Sequence, residues 1–360
     1  MTTTALKNNE VGHRQENLGY RAVRMLLTQR IALLGLLIVV VLAIMTSLDF
    51  AGALSGSYDA DYLAAALISA VPLAMLGLAQ LMVILSGRGG IDLSVGAMVS
   101  LCGIVFGYSY GIWDLGLFPA ILITAVAGVL CGALNGFLVA YMGFPPLIAT
   151  LATFYALKSL ALIVSGQKPI STLQIQDFFS AAQSVEIPVI GHSLPDVPLG
   201  IFTFLIPTAL LAWVLLNRTT FGRRLYALGT NDVAAIWAGV DTRANRMLAY
   251  VLSGLISGLV AIVIVAQFAS ARPDAGVSGN GLALPAITIA VLGGVAITGG
   301  IGRVSGILLA TLLIVWLNAG ILLAFAGNEG TQLQLLALGL LLIGASLLNN
   351  VTRKKFGVLH

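Results

Sequence analysis

The chain has 360 residues, of which 59% are hydrophobic and only 9% are charged. Soluble domains carry about 25% charged residues, so this composition excludes a soluble globular protein. The net charge of +4 indicates basic loops on one side of a membrane, and we expect no nucleic-acid partner. The composition predicts an all-α, polytopic protein in contact with membrane lipid.

Apolar runs recur along the chain, and each is long enough to cross about 30 Å of hydrocarbon as a helix. We predict about ten transmembrane helices, at residues 29–48, 62–85, 93–112, 117–140, 146–165, 199–216, 247–268, 283–298, 304–325 and 332–350. They form a transmembrane domain, 29–350, between a basic N-terminal segment, 1–28, and a short tail, 351–360. An even number of spans places both termini on one side.

The basic residues indicate which side this is. On the ten-span topology most lysines and arginines lie on the side of the termini, whereas the opposite loops carry acids such as Asp59, Asp114 and Asp274. Lysine and arginine are enriched in cytoplasmic loops. The sequence therefore predicts a multi-pass protein of a bacterial inner membrane with both termini in the cytoplasm.

The stretch SGRGGIDLSVGAM, residues 86–98, interrupts two apolar runs with glycines and charges. Non-helical backbone at membrane depth is tolerated only where protein or a water-filled cavity satisfies its polar groups. The pattern G-G-I-x-x-x-x-G occurs here and again at 299–306, which indicates a degenerate internal repeat. The residues of the predicted broken-helix turn are Gly89, Gly90, Asp92, Ser94 and Gly96, with Asp92 as a candidate helix cap.

Glycines four residues apart in the fourth and seventh spans predict close helix packing, because small residues let backbones approach each other in lipid. They are Gly128, Gly132, Gly136, Gly254 and Gly258. Polar side chains within or at the ends of spans either bond to a neighbouring helix or line a solute pathway. The pathway candidates are Gln80, Asn135, Lys158, Gln267 and Asn318. For Lys158 the rival interpretation is a side chain that extends to the outer surface.

Two loops stand out by length. Residues 167–198 form the longest loop opposite the termini, a candidate platform for an external partner, with VEIPVI as a short extended piece. Residues 217–246 form the longest polar, basic insert and contain a short helix pattern. Thr230 or Asn231 can cap that helix, Gly239 lies where it stops, and Asp241 can cap the next one. The insert is either a docking surface or an amphipathic helix lying on the membrane.

Several enzymatic motifs are absent from the sequence. There is no phosphate-binding G-x-x-x-x-G-K-[ST] loop and no H-E-x-x-H, and all three histidines lie outside the spans. We therefore predict a protein that is not an enzyme and holds no cofactor or metal of its own.

Five segments in this order resemble the permease subunits of ribose-type sugar ABC importers. They are GGIDLSVGAMVSL (89–101), GALNGFLVAYMGFPPLIATLATFYALKSLALIVSG (132–166), FGRRLYALGTNDVAAIWAGVD (221–241), FASARPDAG (268–276) and LPAITIAVLGGVAITGGIGRVSGILLATLL (284–313). The resemblance extends from about residue 30 to 350. It implies a type II importer permease fold, which translocates a small carbohydrate-like solute by alternating access.

The resemblance also implies partners. Residues 229–240 would form a coupling helix that enters a cleft of an ATP-binding cassette ATPase, which binds the ATP. Candidate contacts are Gly229, Thr230, Asn231, Ala234, Ala235, Ile236, Trp237 and Gly239. A second permease copy, identical or related, and an extracytoplasmic solute-binding protein would complete the importer. The alternative is a stand-alone secondary transporter with inverted repeats.

Overall fold

The computed structural model describes residues 29–181, 184–185, 195–278, 281–325 and 327–356. The predicted all-α fold is confirmed, and a single short strand pair is the exception within these residues. The helices are α1 (Arg30–Phe50), α2 (Ala60–Leu85), α3 (Val95–Phe106), α4 (Leu117–Ala140), α5 (Pro146–Val164), α6 (Leu173–Ala181), α7 (Ile206–Arg218), α8 (Thr220–Thr230), α9 (Asp232–Trp237), α10 (Thr242–Phe268), α11 (Ala283–Leu292), α12 (Val304–Ala324) and α13 (Gly327–Phe356). Short π-helices, Gly107–Ile112 and Ile201–Leu205, extend α3 and precede α7.

Nine helices in the described part of the chain are long and apolar enough to cross a membrane. The predicted eighth full-length helix, over 283–298, is wrong. Helix α11 has only ten residues, which span about 15 Å, or half of the hydrocarbon. The chain leaves the helix at Gly293 and turns at Gly294, whose φ of +89° favours glycine. The sequence analysis missed this turn because residues 293–298 are as apolar as the helix before them.

Non-helical chain continues on both sides of α11. At one end Gln267 donates to the carbonyl of Ile68, near the start of α2, and at the other the Gly300 amide donates to Leu85 O, at the end of α2. The segment therefore runs beside α2 from Ile68 to Leu85. The nine full-length helices and this segment together match the number of predicted spans.

Glycine contacts hold α11 at both flanks. The backbone of Gly276, before α11, lies against that of Gly96 at the start of α3. At the other end, Gly293 lies against Gly306 at the start of α12. Gly96 and Gly306 are the last residues of the two G-G-I-x-x-x-x-G motifs. The two motifs thus occupy equivalent places, each closing on one flank of the half-helix.

Helices α2, α3 with its π-helical extension, and α10 are the most buried of the candidate spans, whereas α1, α7 and α13 lie at the periphery. Helix α10 packs against α4 through the five glycines with four-residue spacing. A Cβ atom on Gly254 would lie 2.7 Å from Gly132 Cα, and one on Gly136 would lie 3.0 Å from Met247 Cα. We call this α4–α10 contact the seam. Its helices approach too closely for larger side chains.

The loop 167–198 contains α6 and two strands, β1 (Ser184–Val185) and β2 (Val197–Pro198), paired antiparallel. Phe178 of α6 packs on an aromatic cluster at the end of α3, with ring centroids 5.8 Å from Phe106 and 5.7 Å from Tyr110. The VEIPVI piece is described only at Val185, and residues 186–190 lie outside the described residues, as do 1–28 and 357–360.

Candidate coupling site

The loop 217–246 contains two helices where the sequence pattern indicated one. Helix α8 begins at a Thr219 cap, whose hydroxyl accepts from the Gly222 amide at 3.3 Å. Leu225 and Leu228 are buried three residues apart, and the intervening face is exposed. The i, i+3 spacing of these two leucines in FGRRLYALG could have indicated helix α8. The neighbouring charged residues made the stretch resemble a loop instead.

Helix α9 has the ends that the sequence predicted. The Asn231 side chain accepts from the Ala234 amide at 3.0 Å, and Asp241 caps α10 by accepting from Ala244 N at 2.9 Å. Between them Gly239 has a φ of +79°, and Val240 N donates to Ala235 O at 3.0 Å. This is the glycine stop that ends many helices. A six-residue helix is thereby fixed at both ends.

The outer surface of α9 is apolar and unpartnered within the described chain. Val233 is 63% exposed, Ile236 54% and Trp237 86%. Thr230, Ala234 and Gly239, which the sequence also suggested as contacts, are exposed beside them. Exposed apolar groups clustered on a polar loop mark an interaction surface. We call Val233, Ile236 and Trp237 the apolar patch.

Two of the suggested contact residues face the rest of the chain instead. Ala235 is only 3% exposed. A Cβ atom on Gly229 would lie 2.8 Å from Gly300 Cα and closer still to Leu85 O and Gly300 N. Neither residue presents a surface to another protein in this arrangement. Their position gives them the role of seating the loop on the transmembrane helices.

Asp232, the first residue of α9, ties the helix to two other segments. Its carboxylate forms ion pairs with Arg88, in the turn after α2, and with Arg246 of α10 at 3.1 Å. Arg246 is 2% exposed and also donates to Ser86 O at 3.1 Å. The sequence marked these arginines only as loop charges, since the pairs join positions far apart in the chain.

A second contact joins the same segments through glycine backbones. Gly229 of α8 packs against Gly87, after α2, and against Gly299 and Gly300, before α12. Gly87, Gly299 and Gly300 all have positive φ, at +76°, +97° and +74°. We call these four glycines the base junction. It places the loop 217–246 in direct contact with both interrupted regions of the membrane domain.

The broken-helix turn leads from the base junction into a buried polar network. Ser94 donates to Asp92 Oδ1 through its amide at 2.9 Å and its hydroxyl at 2.6 Å. Asp92 therefore forms a side-chain turn before α3, whose N-cap is Ser94, and the predicted cap at Asp92 is wrong by two residues. Gly90 packs under the end of α2, near Val83 O, whereas Gly89 has open space around it.

Two of the pathway candidates belong to this network. Gln80 donates to Asp92 O at 2.5 Å and accepts from Asp92 N at 3.2 Å. Asn135 donates to the Ser94 hydroxyl at 2.7 Å and accepts from Thr153 at 2.6 Å. Both amides are fully buried. Within this chain Gln80 satisfies the backbone of Asp92, and Asn135 satisfies polar side chains of the turn and of α5, as buried polar groups must be satisfied in lipid.

The other three candidates lie elsewhere, and the structure does not bring the five together. Lys158 is half-buried with its ammonium 5.9 Å from the Phe154 ring, and it forms no ion pair with a described residue. Gln267 bonds to Ile68 O at 2.7 Å. At Asn318 it is the backbone carbonyl that accepts, from Gln334 at 3.0 Å.

Comparisons with known proteins agree with this architecture. Residues 62–346 match the family described as branched-chain amino acid transport system / permease component. The chain is similar to the autoinducer 2 import system permease protein LsrD of Enterobacter sp. (strain 638), at 35% identity over 67% of this chain and 71% of the relative. It is likewise similar to LsrD of Klebsiella pneumoniae subsp. pneumoniae, at 37% over 67% and 70%, and of Photorhabdus luminescens, at 36% over 69% and 72%. No solved structure matches.

The family and these relatives support the interpretation as an ABC importer permease and do not support the alternative, a stand-alone secondary transporter. Such permeases are transport subunits, not enzymes, and they work with an ATPase and a solute-binding protein at the inner membrane. The nine long apolar helices, the half-length α11 and the capped loop helix belong to one such subunit. This chain is a member of the ABC importer permease family.

Proposed function

We propose that the chain is the permease subunit of an ATP-driven importer for a small carbohydrate-like solute. Autoinducer 2 is the first candidate, because the relatives at 34–37% identity are named for its import. The family description names branched-chain amino acids, so this class is the competing solute. The role as an importer permease does not depend on which of the two is carried.

The observation that carries the coupling role is the apolar patch of α9, a helix whose first residue is held by two ion pairs. Trp237 is 86% exposed, while Asp232, five residues earlier, pairs with Arg88 and Arg246. A displacement of α9 by a docked ATPase would therefore act directly on the turn after α2 and on α10. Through that turn it would reach the network around Asp92. We propose this route for coupling ATP hydrolysis to the opening of the solute path.

The coupling role also assigns the sides of the membrane. The loop 217–246 must face the cytoplasm, where ATP is available, and both termini then lie there too. The outer loop with α6 would receive the solute-binding protein. A second permease copy would pack on the lipid-facing side of α4 away from the seam, where Leu122, Val126 and Leu130 are 56%, 49% and 65% exposed.

The test is the substitution Trp237→Ala, with Trp113→Ala as the matched control. Trp113 is 60% exposed but lies after α3, at the opposite end of the membrane domain. Truncating an aromatic residue at the centre of an interface costs about 2 kcal/mol, or roughly thirtyfold in affinity. We expect Trp237→Ala to lower ATPase retention and solute uptake by this order in the same vesicles. The Trp113 variant should retain both.

Retention of the ATPase and full uptake in the Trp237 variant would contradict the coupling role. The solute is tested separately, by uptake of autoinducer 2, a pentose, a hexose and leucine with the cognate binding protein present. Uptake of leucine alone would overturn the carbohydrate-like class and leave the permease role intact.

A further inference from the structure

A groove lies between α7 and the start of α12, beside the loop 217–246. Its volume is about 720 Å³. Ile206, Leu210, Trp213 and Asn217 of α7 form one wall at helical spacing, and Tyr226 of α8 and Arg303 close the end nearest the loop. The groove belongs neither to the seam nor to the buried network around Asp92. Nothing in the proposed coupling mechanism uses it.

The groove is divided into apolar and polar halves along the membrane axis. Ile206 and Asn217 are eleven residues apart, which is about 16 Å along a helix and about half of the hydrocarbon. The half nearer the membrane centre presents Ile206 and Leu210, at 49% and 58% exposed. The half nearer the loop presents Asn217, Tyr226 and the exposed Arg303. This division matches a lipid, with acyl chain towards the centre and headgroup at the surface.

The polar half carries positive charge that no described acid neutralises. Arg303 and Arg218 form no ion pair with a described residue, and Arg218 lies over the Trp213 ring at 5.3 Å from its centroid. The nearby loop acids are already engaged, since Asp232 binds Arg88 and Arg246 and Asp241 caps α10. Arg303 also provides no side-chain cap for α12. The amides of that first turn add to the positive potential.

We propose that this groove binds one anionic phospholipid of the leaflet on the loop side. The headgroup phosphate contacts Arg303 and the first turn of α12, and an acyl chain lies along Ile206, Leu210 and Trp213. Basic pockets between transmembrane helices bind anionic headgroups on the cytoplasmic side. The lipid would stabilise the position of α7 relative to α12, because the two helices make few direct contacts here. Its site adjoins Gly300, which belongs to the base junction.

The test uses the permease alone in detergent micelles, so that its result is independent of ATPase and solute. Brominated phosphatidylglycerol and brominated phosphatidylcholine are titrated in turn, and Trp213 quenching is taken as the difference between the parent protein and Trp213→Phe. We expect half-maximal quenching at a concentration at least fivefold lower for phosphatidylglycerol. Glycerol 3-phosphate should not compete, since it lacks the acyl chain.

The charge requirement is tested by Arg303→Gln against the matched control Arg243→Gln, an exposed arginine at the start of α10. Arg303→Gln should abolish the preference and leave phosphatidylcholine quenching unchanged, which a folding defect would not do. Arg243→Gln should preserve the preference. Equal quenching by both lipids in the parent protein, or a preference that survives Arg303→Gln, would overturn the proposal. So would efficient disulfide cross-linking of Leu210→Cys between two copies, because a second permease would then fill the groove.

Discussion

The seam and the base junction are both built from glycines in backbone contact, yet they differ in what the glycine supplies. In the seam, Gly132 and Gly254 lie within regular helices, and only the space of a missing side chain is used. In the base junction, Gly87 and Gly299 also need a positive φ. The first contact requires glycine for space alone, whereas the second requires glycine for two independent reasons.

The neighbours of the two contacts also differ. The seam lies between two long apolar helices, whereas the base junction lies beside the ion pairs of Asp232 with Arg88 and Arg246. The close backbone contacts of the seam leave no room for movement, whereas the exposed Arg88 can exchange its ion pair with Asp232 as a partner docks. The comparison indicates that the seam is a fixed contact between helices, whereas the contact at the base junction can adjust. Four substitutions separate these roles.

The largest effect is expected for Gly254→Ala in the seam. The added Cβ would lie 2.7 Å from Gly132 Cα and closer to Gly128 O, so α4 and α10 must separate. Overpacking of this kind costs about 1–3 kcal/mol. We expect a lower melting temperature and loss of folded protein on size exclusion. The control is Gly339→Ala in α13, where a Cβ meets nothing within 4 Å. An unchanged melting temperature for Gly254→Ala would show that the seam is not fixed.

Gly229→Ala should distinguish the base junction from the seam. Its Cβ would lie 2.8 Å from Gly300 Cα and closer to Leu85 O, outside the apolar centre of the domain. We expect the spans to remain folded and solute uptake to fall at least tenfold, because the loop can no longer seat. Uptake and melting temperature are measured on the same preparation. A melting temperature lowered as much as by Gly254→Ala would show that the two contacts are of one kind.

Asp232→Asn removes the charge that holds α9 and leaves Arg246 buried without its partner. Removal of one partner from a fully buried pair costs 3–5 kcal/mol, and since Asp232 is 18% exposed we expect about 2 kcal/mol. The double variant with Arg246→Met should recover part of this loss in a double-mutant cycle. Urea unfolding gives both values. Additive losses would mean that the pair does not hold the helix.

The smallest effect is expected for Gly258→Ala, at the edge of the seam. There the added Cβ would lie 3.0 Å from Thr124 O and 3.4 Å from Gly128 Cα, which a slight shift of α4 accommodates. We expect a loss below about 1 kcal/mol, partly offset by the better helix propensity of alanine. The difference in melting temperature between this variant and Gly254→Ala measures how the closeness of the helix contact decreases along the seam. Equal losses would contradict this gradient.

Much of the fold was predictable because it depends on local patterns. Nine of the long apolar runs are helices, since their length and hydropathy leave no other structure in lipid. The seam follows from glycines four residues apart. The ends of α9 follow from the side chains of Asn231 and Asp241 and from the backbone freedom of Gly239. Each of these signals lies within a few residues of the feature that it predicts.

The remainder depends on contacts between distant segments. The base junction joins residues near 87, 229 and 300, and no spacing rule relates them. Asp232 and Arg246 are fourteen residues apart with a helix boundary between them. The end of α11 was missed because GGVAIT, residues 293–298, is as apolar as a helix, and the turn becomes evident only from its contact with Gly306. Ala235 was misjudged because its orientation depends on where α9 is anchored.

The half-length of α11 constrains how the protein is made. A ten-residue helix flanked by non-helical chain cannot enter hydrocarbon alone, because its unpaired backbone groups would face lipid. The partners that shield it and its flanks are contributed by α2, α3, α12 and α13, of which α12 and α13 are synthesised afterwards. During biogenesis α11 and its flanks are therefore expected to remain at the translocon or the interface until α12 and α13 emerge. Insertion of α11 is thus a late event of tertiary assembly, whereas the long helices can partition one by one.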